Sequence, residues 1–236
     1  MLVSQILKPI VDVLLQVLIF FNRYVQSWGW SIIALTVVVK IVLLPLAIKQ
    51  TKAMESMKKW QPEMKKLQEK YKNDKEKLGQ EMMKFYGENK INPFGGCLPL
   101  LLQMPIFFAL FRLLGYKTSP IFNELSKSKF LGLSSLTGSL RSCLGSEAGI
   151  GCLIPFIVLL LLMLISQYGM QKMMSTDPQQ DKMMIPMIIF MAVIAVGLPA
   201  GVLLYWVIFN ILSVGQHYLI IKLMTAKDSL PVGKNS

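Results

Sequence analysis

The chain has 236 residues, of which 53% are hydrophobic, with a mean hydropathy of +0.51 and a formal net charge of +12 at pH 7. A composition this apolar excludes an ordinary soluble globular domain. A bilayer core is about 30 Å thick, so a spanning helix needs roughly 20 mostly apolar residues. The apolar runs of the chain meet this requirement and predict an all-α membrane protein with five transmembrane helices.

Residues 1–28 predict an amphipathic helix that lies in the outer membrane interface. At 100° per residue, its polar side chains fall within an arc of about 80°, and these residues are Gln5, Lys8, Asp12, Gln16, Arg23 and Gln26. A helix with one polar and one apolar face binds at the interface. A removed signal peptide is not expected, because a basic start and a small-residue cleavage site are missing. A sixth span is the competing interpretation.

Four apolar runs contain the five predicted spans. The first core span is 29–50, the second is 93–116, the third is 151–171, and the fourth and fifth share 183–222. The sequence GLPAG at 197–201 predicts a tight reversal between the last two spans. Asp177 and Pro178 have the pattern of a helix N-cap and first helical position, which extends the short fourth span backwards.

The distribution of charge predicts the topology. Residues 49–90 contain 12 of the 25 Lys and Arg side chains but only 7 acidic ones. The positive-inside rule therefore places this segment in the cytoplasm. The N-terminus and an outer loop at 117–150 then lie outside, while the loop 172–182 and the tail 223–236 lie inside.

Residues 51–92 predict a cytoplasmic helical hairpin. Pro62 is expected at the first position of one helix. The next helix is expected to begin at a capping motif from Asn73 to Glu76 and to end at Gly87. The apolar stripes of both helices are narrow, which suits a hairpin packed on itself or on lipid.

The three cysteines and the single histidine limit the chemistry that the chain can perform. Cys143 and Cys152 are nine residues apart near the outer side and are candidates for a disulfide, although two free thiols remain an alternative. Cys97 is expected to serve as a small apolar residue. The sequence shows no metal-ligand cluster and no convincing nucleophile–base pair, so neither a cofactor nor an enzymatic activity is predicted.

Lys40 lies at the middle of the first span, in the segment TVVVKIVLLP at 36–45. A charged residue at this depth costs about 2.5–3.5 kcal/mol. The apolar runs contain no Asp or Glu that would neutralise it. The amine therefore either loses its proton or borders water.

Polar residues on the other spans favour a hydrated, positively charged groove around the amine. Thr36 lies one turn before Lys40 on the same helix face, and a stripe on the last span ends at His217 with spacings of 4, 3 and 4. The predicted groove residues are Lys40, Thr36, Gln103, Gln167, Trp206, Asn210 and Ser213. Ser166 is a further candidate. For Ser166, Gln167 and Ser213 taken singly, interhelical hydrogen bonding is the alternative.

Three segments resemble the signature sequences of the YidC/Oxa-type membrane protein insertases. They are NPFGGCLPLLLQMPIFFALF at 92–111, TDPQQDKMM at 176–184 and LPAGVLLYWVIFNILSVGQHYLI at 198–220, and the likeness covers residues 5–224 apart from the outer loop. The resemblance implies a groove that is open to cytoplasm and lipid but closed outside. It also implies that nascent membrane proteins enter the bilayer there, alone or beside the Sec translocon. The implied partners are nascent membrane proteins, the ribosome, the Sec translocon and anionic lipids, without specific nucleic acid.

Two departures from the family pattern qualify the resemblance. The family usually has arginine where this chain has Lys40, which keeps the charge but loses the planar, always-ionised guanidinium. The long basic tail and the large outer domain of some members are not found, which favours a short form in a Gram-positive-like plasma membrane.

The alternative function is a small-solute transporter or channel, which the lack of intramembrane carboxylates and inverted repeats disfavours. A purely structural scaffold is a third possibility.

Overall fold

A computed structural model describes residues 2–89, 98–144, 149–175 and 178–228. Within these ranges the chain is almost entirely helical, which confirms the predicted all-α architecture. The helices are α1 (Leu2–Val25), α2 (Trp28–Lys70), α3 (Lys75–Glu88), α4 (Leu98–Gly115), α5 (Phe122–Lys127), α6 (Leu140–Leu144), α7 (Gly149–Met174), α8 (Pro178–Ala195) and α9 (Ala200–Asp228).

Three of the described helices are long and apolar enough to cross a membrane. Their qualifying stretches are Trp28–Lys70, Ile150–Met173 and Ala200–Ala226. Two shorter apolar stretches, Gln103–Gly115 and Ile185–Ala195, lie in α4 and α8. The chain is therefore a multi-pass membrane protein, while the count of five spans stays a prediction.

Helix α2 is a single helix of 43 residues that combines the first core span with the segment after it. At about 1.5 Å per residue it is about 65 Å long, roughly twice the thickness of a bilayer core. Pro62 lies inside α2, so the prediction that a helix begins there is wrong. A proline removes one backbone donor, yet α2 continues for eight residues beyond Pro62 and buries Met64.

Helix α3 folds back against the end of α2, where the rings of Trp60 and Phe85 are 5.8 Å apart. Its N-cap is Asp74, whose carboxylate accepts a hydrogen bond from the backbone N–H three residues later. The expected cap at Asn73 was therefore placed one residue too early. The expected end at Gly87 is also wrong, because α3 continues to Glu88 and Asn89 forms its C-cap. The Asn89 amide donates to the Phe85 carbonyl at 2.9 Å, a bond that glycine has no side chain to make.

Helix α1 has the two faces that the sequence predicts. The polar side chains of Lys8, Asp12 and Gln16 are exposed, while Leu14 and Leu18 are buried in the core. Contacts from α1 reach α2 and α4. The position of α1 in the outer interface stays a prediction.

The segment 116–144 covers the end of the bundle where α7 and α9 begin. Its apolar side chains, including Leu125, Phe130 and Leu136, belong to the hydrophobic core. The first N–H groups of α9, at Ala200 and Gly201, donate to carbonyls of this segment at 2.8 Å each. The segment thus satisfies backbone donors that a helix start leaves without partners. A break lies where the sequence predicts the reversal, since α8 ends at Ala195 and α9 begins at Ala200.

A disulfide joins Cys143 in α6 to Cys152 in α7, with a Cα–Cα distance of 5.9 Å. This pairing confirms the disulfide that the sequence suggested. The bond ties the segment 116–144 to the start of α7. Cys97 lies outside the described residues.

Gly29 at the start of α2 is predicted to be intolerant of a side chain. A Cβ there would lie 2.2 Å from carbons of the Phe130 ring. We expect Gly29→Ala to lower the free energy of unfolding by about 1–3 kcal/mol, because the ring is buried and must shift. Denaturant unfolding in detergent measures this change.

The matched control for that substitution is Gly215→Ala in α9. A Cβ at Gly215 would meet no described heavy atom within 4 Å. Alanine restricts the unfolded chain more than glycine does, so this variant should be more stable by about 0.5–1 kcal/mol. Equal effects of the two variants would contradict the proposed steric role of Gly29.

Candidate functional site

A cavity of about 80 Å³, lined by both polar and apolar side chains, lies among α2, α4, α7 and α9. Its apolar lining includes Met54, Met170 and Phe209. Among the described residues, none that lines it is a carboxylate. The polar side chains that line it are Lys40, Gln50, Thr51, Gln103, Ser213, Gln216 and His217.

The ammonium of Lys40 is held by two residues of α9. Its Nζ donates a hydrogen bond to Ser213 Oγ and lies 3.8 Å from the centre of the Phe209 ring. Ser213 Oγ in turn donates to the Phe209 carbonyl at 2.7 Å. The charged group is therefore fixed at the cavity wall by a hydroxyl and an aromatic face.

Gln103 of α4 also lines the cavity and connects to Phe209 through Tyr205. Its Nε2 donates to the Tyr205 hydroxyl at 2.9 Å, and the Tyr205 ring lies 5.7 Å from that of Phe209. The Oε1 atom of Gln103 is buried and makes no hydrogen bond within the part of the chain that the structure describes. Such an atom favours a site where water or an incoming polar group completes the bonding.

Thr51 and His217, which also line the cavity, contact each other. Thr51 Oγ1 and His217 Nδ1 are 3.4 Å apart, and both residues are buried. The sequence argument missed Thr51 and named His217 as the end of the polar stripe on the last span. Thr51 lies eleven residues after Lys40, which is three helical turns and the same face of α2. This spacing was the signal that could have identified it.

A second polar cluster joins α7 to α9 and does not line the cavity. Gln167 Oε1 accepts hydrogen bonds from Trp206 Nε1 and Asn210 Nδ2, both at 2.9 Å. Asn210 Nδ2 also lies 3.4 Å from Ser166 Oγ. This geometry matches interhelical hydrogen bonding, which was the alternative interpretation for Ser166 and Gln167.

The predicted groove residues are thus brought together only in part. The cavity contains Lys40, Gln103 and Ser213, whereas Gln167, Trp206 and Asn210 form the neighbouring cluster. Thr36 belongs to neither group, because its side chain is fully buried and donates to the Ile32 carbonyl at 2.7 Å. The substrate-binding role of all these residues stays a prediction.

Fold and cavity together define a polytopic α-helical membrane protein with a cavity lined in part by a lysine. The family model described as "60Kd inner membrane protein" matches residues 20–227. The chain therefore belongs to this family, which confirms the resemblance seen in its sequence.

Relatives of similar sequence carry the name "Membrane protein insertase YidC". The one from Syntrophobacter fumaroxidans is 43% identical over 220 residues, which are 90% of this chain and 37% of that protein. The one from Caldanaerobacter subterraneus subsp. tengcongensis is 40% identical over 207 residues, 88% of this chain and 91% of that protein. The chain therefore spans little more than a third of the first relative's length and most of the second's.

A solved structure is similar to this fold over most of the chain. It is described as "Active YidC insertase crystal structure with the first transmembrane domain resolved". The TM-score is 0.68 at 26% identity, and the match covers 91% of this chain and 46% of that one.

Proposed function

We propose that the chain is a membrane protein insertase that receives nascent hydrophobic segments at the Lys40 cavity and releases them into the bilayer. It acts alone or beside the Sec translocon. The observation that carries the proposal is an ammonium group at a cavity whose described lining contains no carboxylate to neutralise it. The names of the relatives and of the similar structure support the same activity.

The cavity lowers the cost of moving a polar flank into the membrane. A volume of about 80 Å³ holds several water molecules beside the uncharged polar side chains. Lys40 attracts an acidic flank, and water keeps that flank partly solvated. Unpaired polar groups in hydrocarbon cost several kcal/mol each, so a shorter dry path favours insertion.

The hydrophobic segment of the client leaves through exposed apolar helix faces. Met104 of α4 and Ile189 and Val193 of α8 are all exposed. Burial of the client's own apolar surface in lipid drives this movement. The membrane potential adds about 2.3 kcal/mol per 100 mV for each negative charge moved outward. No nucleotide and no cofactor takes part in this mechanism.

The proposed topology has five spans in a bacterial plasma membrane, with the N-terminus outside and the C-terminus in the cytoplasm. The spans are the first part of α2, then α4, α7, α8 and α9, arranged around the groove. The end of α2 and α3 form the cytoplasmic hairpin, which contacts the ribosome together with the inner loops. The basic residues of this hairpin also suit anionic lipid.

Site-specific crosslinking to a ribosome-bound nascent chain tests the function. A photoreactive residue at Ala47, which lines the cavity, should crosslink to the acidic flank of a client. The same residue at Leu219 of α9, which is 56% exposed and does not line the cavity, should not crosslink to that flank. Equal crosslinking from both positions, or none from Ala47, would contradict the proposal.

The alternative function, a small-solute transporter or channel, is tested by a separate assay. Radiolabelled solute uptake into proteoliposomes that contain the chain would support it. Lys40 would then line a permeation path, and no nascent chain would be needed for activity.

A further inference from the structure

The Lys40 ammonium has no acidic partner within the described residues, yet its position is well defined. Ion pairs of other lysines, such as Lys58–Glu55 and Lys84–Glu88, lie beyond the predicted first core span. The contacts of Lys40 are instead the Ser213 hydroxyl and the face of the Phe209 ring. Both contacts come from one face of α9, because the two residues are four positions apart.

We propose that Phe209 and Ser213 are positioning residues that keep the Lys40 ammonium ionised and directed at the cavity, with the aromatic face in the place of a counter-ion. This inference rests on the proposed function, because it explains how the groove charge is maintained. Neither residue needs to touch the client.

An aromatic face can stabilise the cation without cancelling its charge. The negative face of the ring attracts an ammonium within about 6 Å of its centre, and the observed separation is 3.8 Å. A carboxylate at this position would form an ion pair and compete with the acidic flank of a client. The ring carries no net charge, so the field of Lys40 still reaches the cavity.

The hydrogen bonds of Ser213 fix which of its atoms meets the amine. Its hydroxyl proton goes to the Phe209 carbonyl at 2.7 Å, which leaves an oxygen lone pair for Lys40. An ammonium has three N–H donors, and Ser213 accepts from one of them. The remaining donors are left for water or for a carboxylate of the client.

The Phe209 ring is itself held by packing. Tyr205 lies against it with a ring separation of 5.7 Å, and Gln103 anchors the Tyr205 hydroxyl at 2.9 Å. Tyr205 is almost completely buried. Contacts through α4 and α9 thus set the position of the ring, and the ring with Ser213 sets the position of the ammonium.

The test compares two clients that differ only in an acidic or an amide flank, inserted into proteoliposomes by the full chain. The ratio of acidic-flank to amide-flank insertion is the readout, because a merely structural defect lowers both. Phe209→Leu removes the aromatic face and should lower this ratio about three- to tenfold. Phe209→Tyr keeps the face and should retain the preference for the acidic flank. Phe20→Leu on α1, an exposed phenylalanine outside the cavity lining and away from the proposed exit faces, is the matched control.

Arginine at position 40 provides the rescue. A guanidinium stays ionised without the ring, so Lys40→Arg added to Phe209→Leu should restore the ratio. An unchanged ratio in Phe209→Leu, an equal loss for both clients, or no rescue would overturn the inference. If Lys40→Ala itself leaves the ratio unchanged, the electrostatic role in the proposed function fails as well, so the two failures can be distinguished.

A second measurement does not depend on the folding of any Phe209 variant. In protein labelled with ¹³C-lysine, the ε-methylene of Lys40 should resonate upfield of the other lysines because of the ring current of Phe209. Lys40→Arg assigns the signal by its loss. A Lys40 signal at the position of exposed lysines would overturn the inference.

Discussion

Lys40→Ala is expected to lower the insertion of a client with an acidic flank by at least tenfold, which corresponds to about 1.4 kcal/mol. An acidic residue at the middle of a bilayer costs about 2.5–3.5 kcal/mol, and the ammonium of Lys40 offsets part of this cost. The measurement is protease protection of the flank after insertion into proteoliposomes that contain purified protein. Lys40→Arg keeps the charge and should retain or raise the activity.

Three outcomes separate this mechanism from its rivals. Undiminished insertion by Lys40→Ala would contradict an electrostatic role and favour a scaffold for other membrane proteins. An equal loss for clients with neutral flanks would indicate that the substitution damages the fold. Solute uptake that depends on Lys40 would favour the transporter instead.

Helical periodicity explains why part of the site could be predicted from the sequence. An ammonium in an apolar run without an acid requires water or polar neighbours, and Ser213 and Gln103 were identified by searching for those neighbours. The structure places both of them at the cavity with Lys40. The free-energy cost of burying a charge therefore identified Lys40 and two polar residues near it, Ser213 and Gln103.

The orientation of each helix around its axis could not be predicted. The polar stripe on α9 is divided between two neighbours, since Trp206 and Asn210 bond to Gln167 of α7 while Ser213 meets Lys40 of α2. At 100° per residue the polar stripe of α9 is about 60° wide and fits on one helix face. That face of α9 contacts both α2 and α7, so its polar residues bond to two different helices. Thr36 shares a face with Lys40, but its side chain is fully buried and donates to the Ile32 carbonyl of its own helix.

Phe209 was missed because of its chemistry, and Thr51 because of its distance along the chain from its partner. Phe209 is apolar, so a search for polar groups passes over it although it contacts the charge directly. Thr51 and His217 are 166 residues apart, and only the packing of α2 on α9 brings them together. Local sequence patterns also gave two wrong helix starts. The N-cap of α3 is Asp74 and not Asn73, and Pro62 lies inside α2 instead of beginning a helix.

The disulfide provides the second large effect. Cys143→Ser combined with Cys152→Ser should lower the free energy of unfolding by about 2–3 kcal/mol, because the bond closes a loop of about ten residues and restricts the unfolded chain. For a chain of this length we expect the unfolding temperature in detergent to fall by roughly 4–12 °C. The loss should be concentrated in the segment 116–144, which the bond ties to the start of α7.

Two controls distinguish the loss of the disulfide from the loss of the two cysteine side chains: a reducing agent and a variant of Cys97. A reducing agent should lower the unfolding temperature of the unmodified chain by a similar amount and leave the double variant unchanged. Cys97→Ser keeps the bond and should unfold like the unmodified chain. Since such bonds persist in oxidising compartments, a bond that forms in cells would also support the placement of segment 116–144 outside the membrane. A double variant that unfolds at the original temperature would show that the packing of Leu125, Phe130 and Leu136 alone holds this segment in place.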